Sequence, residues 1–334
     1  MKPSLAWRRV IGFMGYGFAI LLAVLLTAWA VAALYFDLIP GSNLKIVLAS
    51  VYAIGMLAAL LFFRRGGIGI EICVVSFALV FIWWLTLKPS NNRAWQPDVA
   101  QTAWAEINGD RVTIHNVRNC DYRTEGDYTP HWETRSFDLS QLRGMDIFLT
   151  YWGSPWIAHP IVSFQFGDND YVAMSIETRK EVGEVYSALR GFFRYYELIY
   201  TVSDERDVVR LRTNYRKGEE TYFFHTRATP EHARETFLNY VKKINRIHDR
   251  PEWYNALTNN CTTNIAALAG ESEWDWRVLL NGRADQMLYE RGDLATANLS
   301  FARLKEQAHI NAAARGANDA TDFSRRIREG RAGF

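Results

Sequence analysis

The chain has 334 residues, room for one or two domains with real cores, and its 38 Lys/Arg against 36 Asp/Glu leave a formal net charge of only +2. That balance hides an asymmetry: residues 1–88 carry seven basic and two acidic side chains (net +5), so the other 246 residues carry 31 and 34 (net −3). The larger part therefore has no electrostatic footprint for nucleic acid, and three cysteines are too few for a disulfide framework.

Ile11 to Phe36, Ile46 to Phe63 and Ile72 to Leu87 are uncharged runs, the third extended at its start by Gly67-Ile-Gly-Ile and Glu71, and each is then of a length that crosses a hydrocarbon core of roughly 30 Å as a helix. Lys2, Arg8 and Arg9 precede the first run, and Arg64 and Arg65 separate the second from the third, while only Lys45 marks the first connection. Positive charge stays on the cytoplasmic side, so the N-terminus and the Arg64 loop are expected there and the third helix exits outward near Lys88. Trp83 and Trp84 near that exit, with Trp29, Tyr35 and Phe36 near the first, suit an outer interfacial belt. Ala28-Trp29-Ala30 resembles a processing site, but the apolar run is too long for the usual core of a cleaved leader. The expected organisation is a membrane anchor over 1–88, a linker over 89–110, and an outer domain over 111–334 with a helical C-terminal extension.

Along the outer part, Arg111–Val117 alternates and predicts a strand, as does Ile147–Trp152. Ile161–Phe166, the turn Gly167–Asp170 and Tyr171–Ile176 predict a hairpin. Glu177–Ser187 is polar and expected to be partly helical. Tyr196–Val202 predicts a strand from its aromatic and β-branched content, and Val208–Arg212 and Glu220–His225 are further strand candidates. Thr229–Ile247 predicts a helix capped by Thr229, with Pro230 in its first turn and an apolar stripe of Ala233, Phe237, Tyr240, Val241, Ile244 and Ile247. Residues 282–334, polar and rich in Ala and Arg, are expected to wrap the surface as short helices.

Cys261 lies in a stretch where Asn259 or Asn260 can cap a helix and Gly270 can stop it. A thiol in a first helical turn is drawn toward thiolate by the dipole, and the free N–H groups there can hold an oxyanion. The rival reading is a small buried cysteine, or a bridge to Cys120, since Cys73 lies in the third apolar run. A thiol nucleophile needs a base. His159 opens the hairpin, and the turn brings position 159 opposite 177–178, so Glu177 or Thr178 can orient the imidazole. His232 and His248 flank the long helix, and His115, His131, His225 and His309 show no acid in a comparable strand context. Gly153-Ser-Pro is not a nucleophile elbow, and metal-binding or glycine-rich nucleotide motifs are missing, so no metal or cofactor is expected.

Tyr151–His159, Ser175–Glu181, Tyr196–Tyr200 with Asp204–Asp207, and Tyr254 with Asn259–Asn264 together resemble the bacterial Lnb-type periplasmic domain family, over about Tyr122 to Ile327. The family takes its name from a lipoprotein N-acyltransferase. The resemblance implies an α+β chain of three transmembrane helices followed by a permuted papain-like (NlpC-like) periplasmic domain, anchored in the bacterial inner membrane. It implies a thiol acyltransferase with Cys261 as nucleophile, His159 as its partner and Glu177 as third member. Asn260 and Asn259 would serve the helix cap and oxyanion, with Arg179 and Tyr254 in support. The implied partners are a phospholipid acyl donor, bacterial lipoproteins and the membrane, with no nucleic acid. Two alternatives stand beside it: a cell-envelope cysteine amidase or peptidase, and an anchored binding module with an inert Cys261. An apolar groove beside Cys261 favours acyl transfer, a long polar cleft favours the amidase, and a Cys261 remote from every His favours neither enzyme.

Overall fold

The computed structural model describes residues 5–38, 43–63, 67–268, 275, 277 and 281–334, with side chains of the first helix from Phe13 onward. Lys2, Arg8, Arg9, Arg64, Arg65 and Gly270 thus lie outside the residues or side chains described. The fold is α+β and divides into two compact units, one of residues 1–89 with 187–195, the other of 90–186 with 196–334.

The first unit holds α1 (Leu5–Asp37), α2 (Leu44–Phe62) and α3 (Ile68–Thr86). All three are long and apolar enough to cross a membrane. Their contacts follow the logic of helices in lipid, where small residues allow close approach. A Cβ on Gly69 would lie 2.5 Å from the Ala59 carbonyl oxygen, so only glycine fits where α3 meets α2. At the other end of α3, the Trp84 indole donates to Asp37 at 2.7 Å.

The second unit is built on an eight-stranded sheet. Its strands are β1 (Trp104–Asn108), β2 (Arg111–Arg118), β5 (Trp132–Asp138), β6 (Leu142–Trp152), β7 (Ala158–Phe166), β8 (Asp170–Arg179), β9 (Glu197–Ser203) and β10 (Glu219–His225). A separate two-stranded ribbon pairs β3 (Asp121–Tyr122) with β4 (Tyr128–Thr129). The order across the large sheet is β1-β2-β9-β8-β7-β6-β10, with β5 paired to β2. The β7–β8 hairpin is in the expected register, Phe166 opposite Asp170 and Ile161 opposite Ser175.

Helices cover both faces. On one, α5 (Pro230–Asp249) sets Phe237 and Tyr240 against Phe164, with α6 (Cys261–Leu268) and α7 (Ala284–Arg291) beside it. Thr229 caps α5 by accepting from His232 N–H. On the other, α4 (Glu205–Arg210) brings Val208 and Val209 onto Phe148, Ile161 and Ala173. Ile310, Ala314, Phe323 and Ile327 complete that core; they lie on or beside α9 (Asn311–Gly316) and α10 (Phe323–Arg326), which follow α8 (Phe301–Ala308).

Several expectations are corrected. Val208–Arg212 is helical, because Asp204 caps the turn by accepting from Arg206 N–H and the apolar side chains are buried at helical spacing. Glu177–Ser187 holds no helix: β8 runs on to Arg179, and a turn follows. Trp104–Asn108, within the span read as linker, is strand β1. The tail beyond 282 does not merely wrap the surface. Arg328 is buried, pairs with Asp146 at 2.7 Å and Glu205 at 2.6 Å, and lies 3.8 Å over the Tyr171 ring.

Candidate functional site

Cys261 is the first residue of α6 and is half-buried. Asn260 is the cap: its Oδ1 accepts from the N–H groups of Thr262 and Thr263, both at 3.0 Å. Asn259 does not cap; its amide donates to the Trp253 carbonyl and its oxygen accepts from Asn264, which ties the preceding loop to the helix. Near the sulfur lie the Cys261 N–H, the Thr262 hydroxyl, 3.8 Å from Sγ, and a side chain the sequence did not suggest. That side chain is Asn281, whose Nδ2 lies 3.9 Å from Cys261 Sγ and 2.6 Å from Thr262 Oγ1. Its Oδ1 accepts from the Ala158 N–H at 2.8 Å, one residue before His159.

Asn281 is held by its neighbour. Gly282 N–H donates to the Trp156 carbonyl, and Tyr151 Oη donates to the Gly282 carbonyl. A Cβ at 282 would sit 2.3 Å from the Pro155 oxygen, so glycine alone allows this approach.

His159 is buried on β7. Its Nε2 is 2.7 Å from Ser175 Oγ, and the Ser175 hydroxyl donates onward to Glu177 Oε1 at 2.8 Å. A hydroxyl has one proton to give, so Ser175 must accept from an Nε2–H. The imidazole therefore carries its proton on Nε2, and Nδ1 presents a lone pair. Among the described residues Nδ1 makes no hydrogen bond. Glu177 Oε1 lies 3.6 Å from Nε2 and takes Arg212 at 3.1 Å. Burial and the Arg212 guanidinium push His159 down to about 3, against the opposing pull of Glu177. Burial works to raise Glu177, but Arg212 and His159 outweigh it and hold the carboxylate well below its ordinary range. At neutral pH the pair is a neutral imidazole beside a carboxylate.

The thiol is pushed up by burial, against the Thr262 hydroxyl, the N–H groups of Thr262 and Cys261, and Arg212, which draw it down. The Tyr254 hydroxyl borders it and is hydrogen-bonded to Tyr186; burial and then the thiol push Tyr254 up. Among the described residues no hydrogen bond joins Cys261 to His159. Alternation along β7 turns His159 to the face of Ile161 and Ser163, whereas Thr262 and Ile265 of α6 lie with Pro160 and Val162 on the other. The two groups are linked through Asn281 at the start of β7. Arg179 stands apart from both: it donates to Val99 and Ala100 carbonyls and Asn91, and stacks on Trp95.

An apolar cavity of about 660 Å³ opens beside α6. Thr262, Ile265 and Ala266 form one wall, Met145, Ile147, Leu149 and Val162 the sheet floor, and Met287 and Leu288 another side. Three other histidines have acids after all: His225 Nδ1 is 2.6 Å from Asp146, directly across the β6–β10 pair, His309 Nε2 is 2.5 Å from Glu220, and His115 Nε2 is 3.9 Å from Glu106. None of the three is hydrogen-bonded to the thiol. The three cysteines are free thiols. No group of metal-ligating side chains is found among the described residues.

Residues 128–285 match the family model described as the Lnb N-terminal periplasmic domain, a span that contains His159, Ser175, Glu177, Arg212, Cys261 and Asn281. The resemblance read from the sequence motifs holds over this span, and the chain is a membrane protein with a periplasmic domain. No curated protein and no solved structure matches the chain.

Proposed function

We propose that this Lnb-type membrane protein is a thiol acyltransferase that moves an acyl chain from a phospholipid, through a Cys261 thioester, to the N-terminal amine of a lipoprotein. The observation that carries the reading is the cavity beside α6. Its volume lies within the roughly 300–1,000 Å³ of small-ligand sites; its lining is mainly apolar, with Arg227, His232, Arg291 and Asp293 among it, and Thr262, the residue after Cys261, is on its wall although Cys261 itself is not. An amidase acting on a peptide would want a polar cleft instead.

The chemistry follows from the charge states. Neutral His159 has its lone pair on Nδ1, the form that accepts a thiol proton. The thiolate attacks the ester carbonyl, and the oxyanion is met by the Cys261 N–H and Asn281 Nδ2. The imidazolium returns its proton to the leaving lysophospholipid oxygen, which leaves the thioester. The acceptor amine then attacks the thioester, His159 takes the amine's proton, and the amide departs with Cys261 restored. His159 and the wall of α6 lie on opposite faces of β7 in this structure, so transfer of the thiol proton to Nδ1 requires the start of β7 to rearrange when substrate binds. Glu177 and Ser175 orient the ring from its other nitrogen. In this reading residues 111–334 are the catalytic domain, the membrane is the bacterial inner membrane, and the basic residues around the first helix and at Arg64 and Arg65 keep the N-terminus cytoplasmic.

The test uses the full chain in proteoliposomes with a diacylated lipopeptide. Wild type should add one acyl chain to the peptide, read by mass spectrometry, and an acyl-thioester on Cys261 should be trapped before acceptor is supplied. No transfer by wild type, or equal transfer by Cys261→Ala, overturns the reading.

A further inference from the structure

Between β8 and β9 the chain leaves the sheet, and Ser187–Tyr195 clusters with the membrane helices. Three successive side chains fix it there. Phe193 is 6% exposed and packs on Phe36 and Trp29, with ring centroids 5.1 and 6.0 Å apart. Arg194 donates from one nitrogen to the carbonyls of Trp84, Leu85 and Leu87 at 2.8, 3.0 and 2.7 Å, and lies 4.3 Å over the Trp84 ring. Tyr195 meets the Phe36 ring edge-on. The Arg194 backbone N–H also donates to Asp37, the acceptor of the Trp84 indole.

The last carbonyls of α3 run out of intrahelical N–H donors, that of Trp84 taking from the helix itself only the cap N–H of Leu87 at 3.3 Å, and a cation suits the negative end of the dipole. They also mark a depth. They end an apolar span beside Trp83 and Trp84, where hydrocarbon gives way to headgroups. A segment pinned to them sits at the membrane interface. Its remaining apolar side chains face outward: Leu189 is 58% exposed and Phe192 40%. Water would leave both unburied, whereas the boundary between headgroups and acyl chains buries such side chains readily.

We propose that Ser187–Tyr195 is an interfacial element that inserts Leu189 and Phe192 into the headgroup–acyl boundary of the bilayer crossed by α1 and α3. The partner is lipid. The proposal rests on the membrane helices and not on any activity of Cys261. It bears on that site by chain continuity, since the residue before the segment, Tyr186, is hydrogen-bonded to Tyr254 beside the thiol.

Photocrosslinking of the full chain in phosphatidylethanolamine–phosphatidylglycerol proteoliposomes tests it. A benzophenone amino acid replaces Phe192, Leu189, the lipid-facing Leu79 of α3, or the exposed Glu125 of the other unit, and lipid adducts are counted by mass spectrometry. Adducts at 189 and 192 should approach those at 79 and exceed those at 125 at least tenfold. Adducts at 189 and 192 no more frequent than at 125, or cross-links from them to protein alone, overturn the proposal, as does the absence of lipid adducts at 79. Transfer activity does not enter any of these outcomes.

Discussion

Replacing Asn281 with Asp probes the site without touching the proposed nucleophile or base. The aspartate keeps an oxygen for the Ala158 N–H, so the local backbone stays satisfied, but it exchanges the amide 3.9 Å from Cys261 Sγ for an anion. Two unit charges at that distance repel by about 4 kcal/mol at an effective dielectric constant near 20, which corresponds to about three pKa units on the thiol. Solvent at a half-buried sulfur screens part of this, so a rise of about one unit or more is expected, and a thiolate fraction at least tenfold lower near pH 8. The assay is the pH profile of iodoacetamide alkylation at Cys261, read by peptide mass spectrometry on the detergent-solubilised full chain. Asn281→Ala is the companion: it strands the Ala158 N–H at a cost of about 1–3 kcal/mol in stability and adds no charge. Equal alkylation profiles for Asn281→Asp and wild type would refute the assignment of Asn281 to the thiol.

Four further outcomes follow from the same geometry. Ile265→Trp fills the cavity beside α6, so Cys261 should lose labelling by long-chain acyl thioesters at least tenfold while short acetyl thioesters still react; parallel losses would separate the cavity from the acyl chain. Arg328→Met leaves Asp146 and Glu205 buried without their cation, and breaking such a buried pair costs about 3–5 kcal/mol; a thermal midpoint within two degrees of wild type would contradict it. Gly282→Ala drives a Cβ into the Pro155 oxygen, and overpacking of this kind costs about 1–3 kcal/mol, visible as a lower midpoint together with slower Cys261 alkylation. His159 binds its proton less readily folded, near 3, than its ordinary 6.5, so the unfolded chain holds more protons between those values. The stabilisation is whole above pH 6.5 and lost as pH falls toward 3, and His159→Gln should flatten the fall in thermal midpoint between pH 7 and 5.

The legible parts were those set by local pattern. The turn at Gly167–Asp170 fixed the β7–β8 register, observed from Phe166 opposite Asp170 to Ile161 opposite Ser175, and counting back from it pointed position 159 toward 177–178 without any tertiary information. Asn260 was legible as a cap because capping is a matter of a few neighbouring residues. Asn281 was not, because its position depends on Gly282 meeting Trp156, 126 residues earlier, and no local pattern encodes that approach. Val208–Arg212 misled for a different reason: β-branched residues suggest a strand, but the Asp204 cap starts a helix before strand propensity can act. The acids facing His225 and His309 lie across the sheet or on another element, so sequence neighbours gave no sign of them. The tail beyond 282 looked solvated because Arg328 is charged; the two carboxylates that allow its burial come from β6 and α4.

Arg212 links the electrostatics of the site. It sits on Glu177, lowers the imidazole and draws down the thiol, so in the proposed mechanism one cation would favour a neutral base and ease ionisation of the thiol. Burial acts the other way on the sulfur and keeps it a thiol at rest. A resting thiolate–imidazolium pair is thereby disfavoured, and proton transfer becomes a step that must be assisted at the moment of attack. Neutral acyl chains entering an apolar cavity cost such a site no charge desolvation, whereas a charged peptide would. In the proposed acyl transfer, the same burial that raises the thiol would limit water's access to a thioester, so the features that slow ionisation of Cys261 would also favour transfer to an amine over hydrolysis.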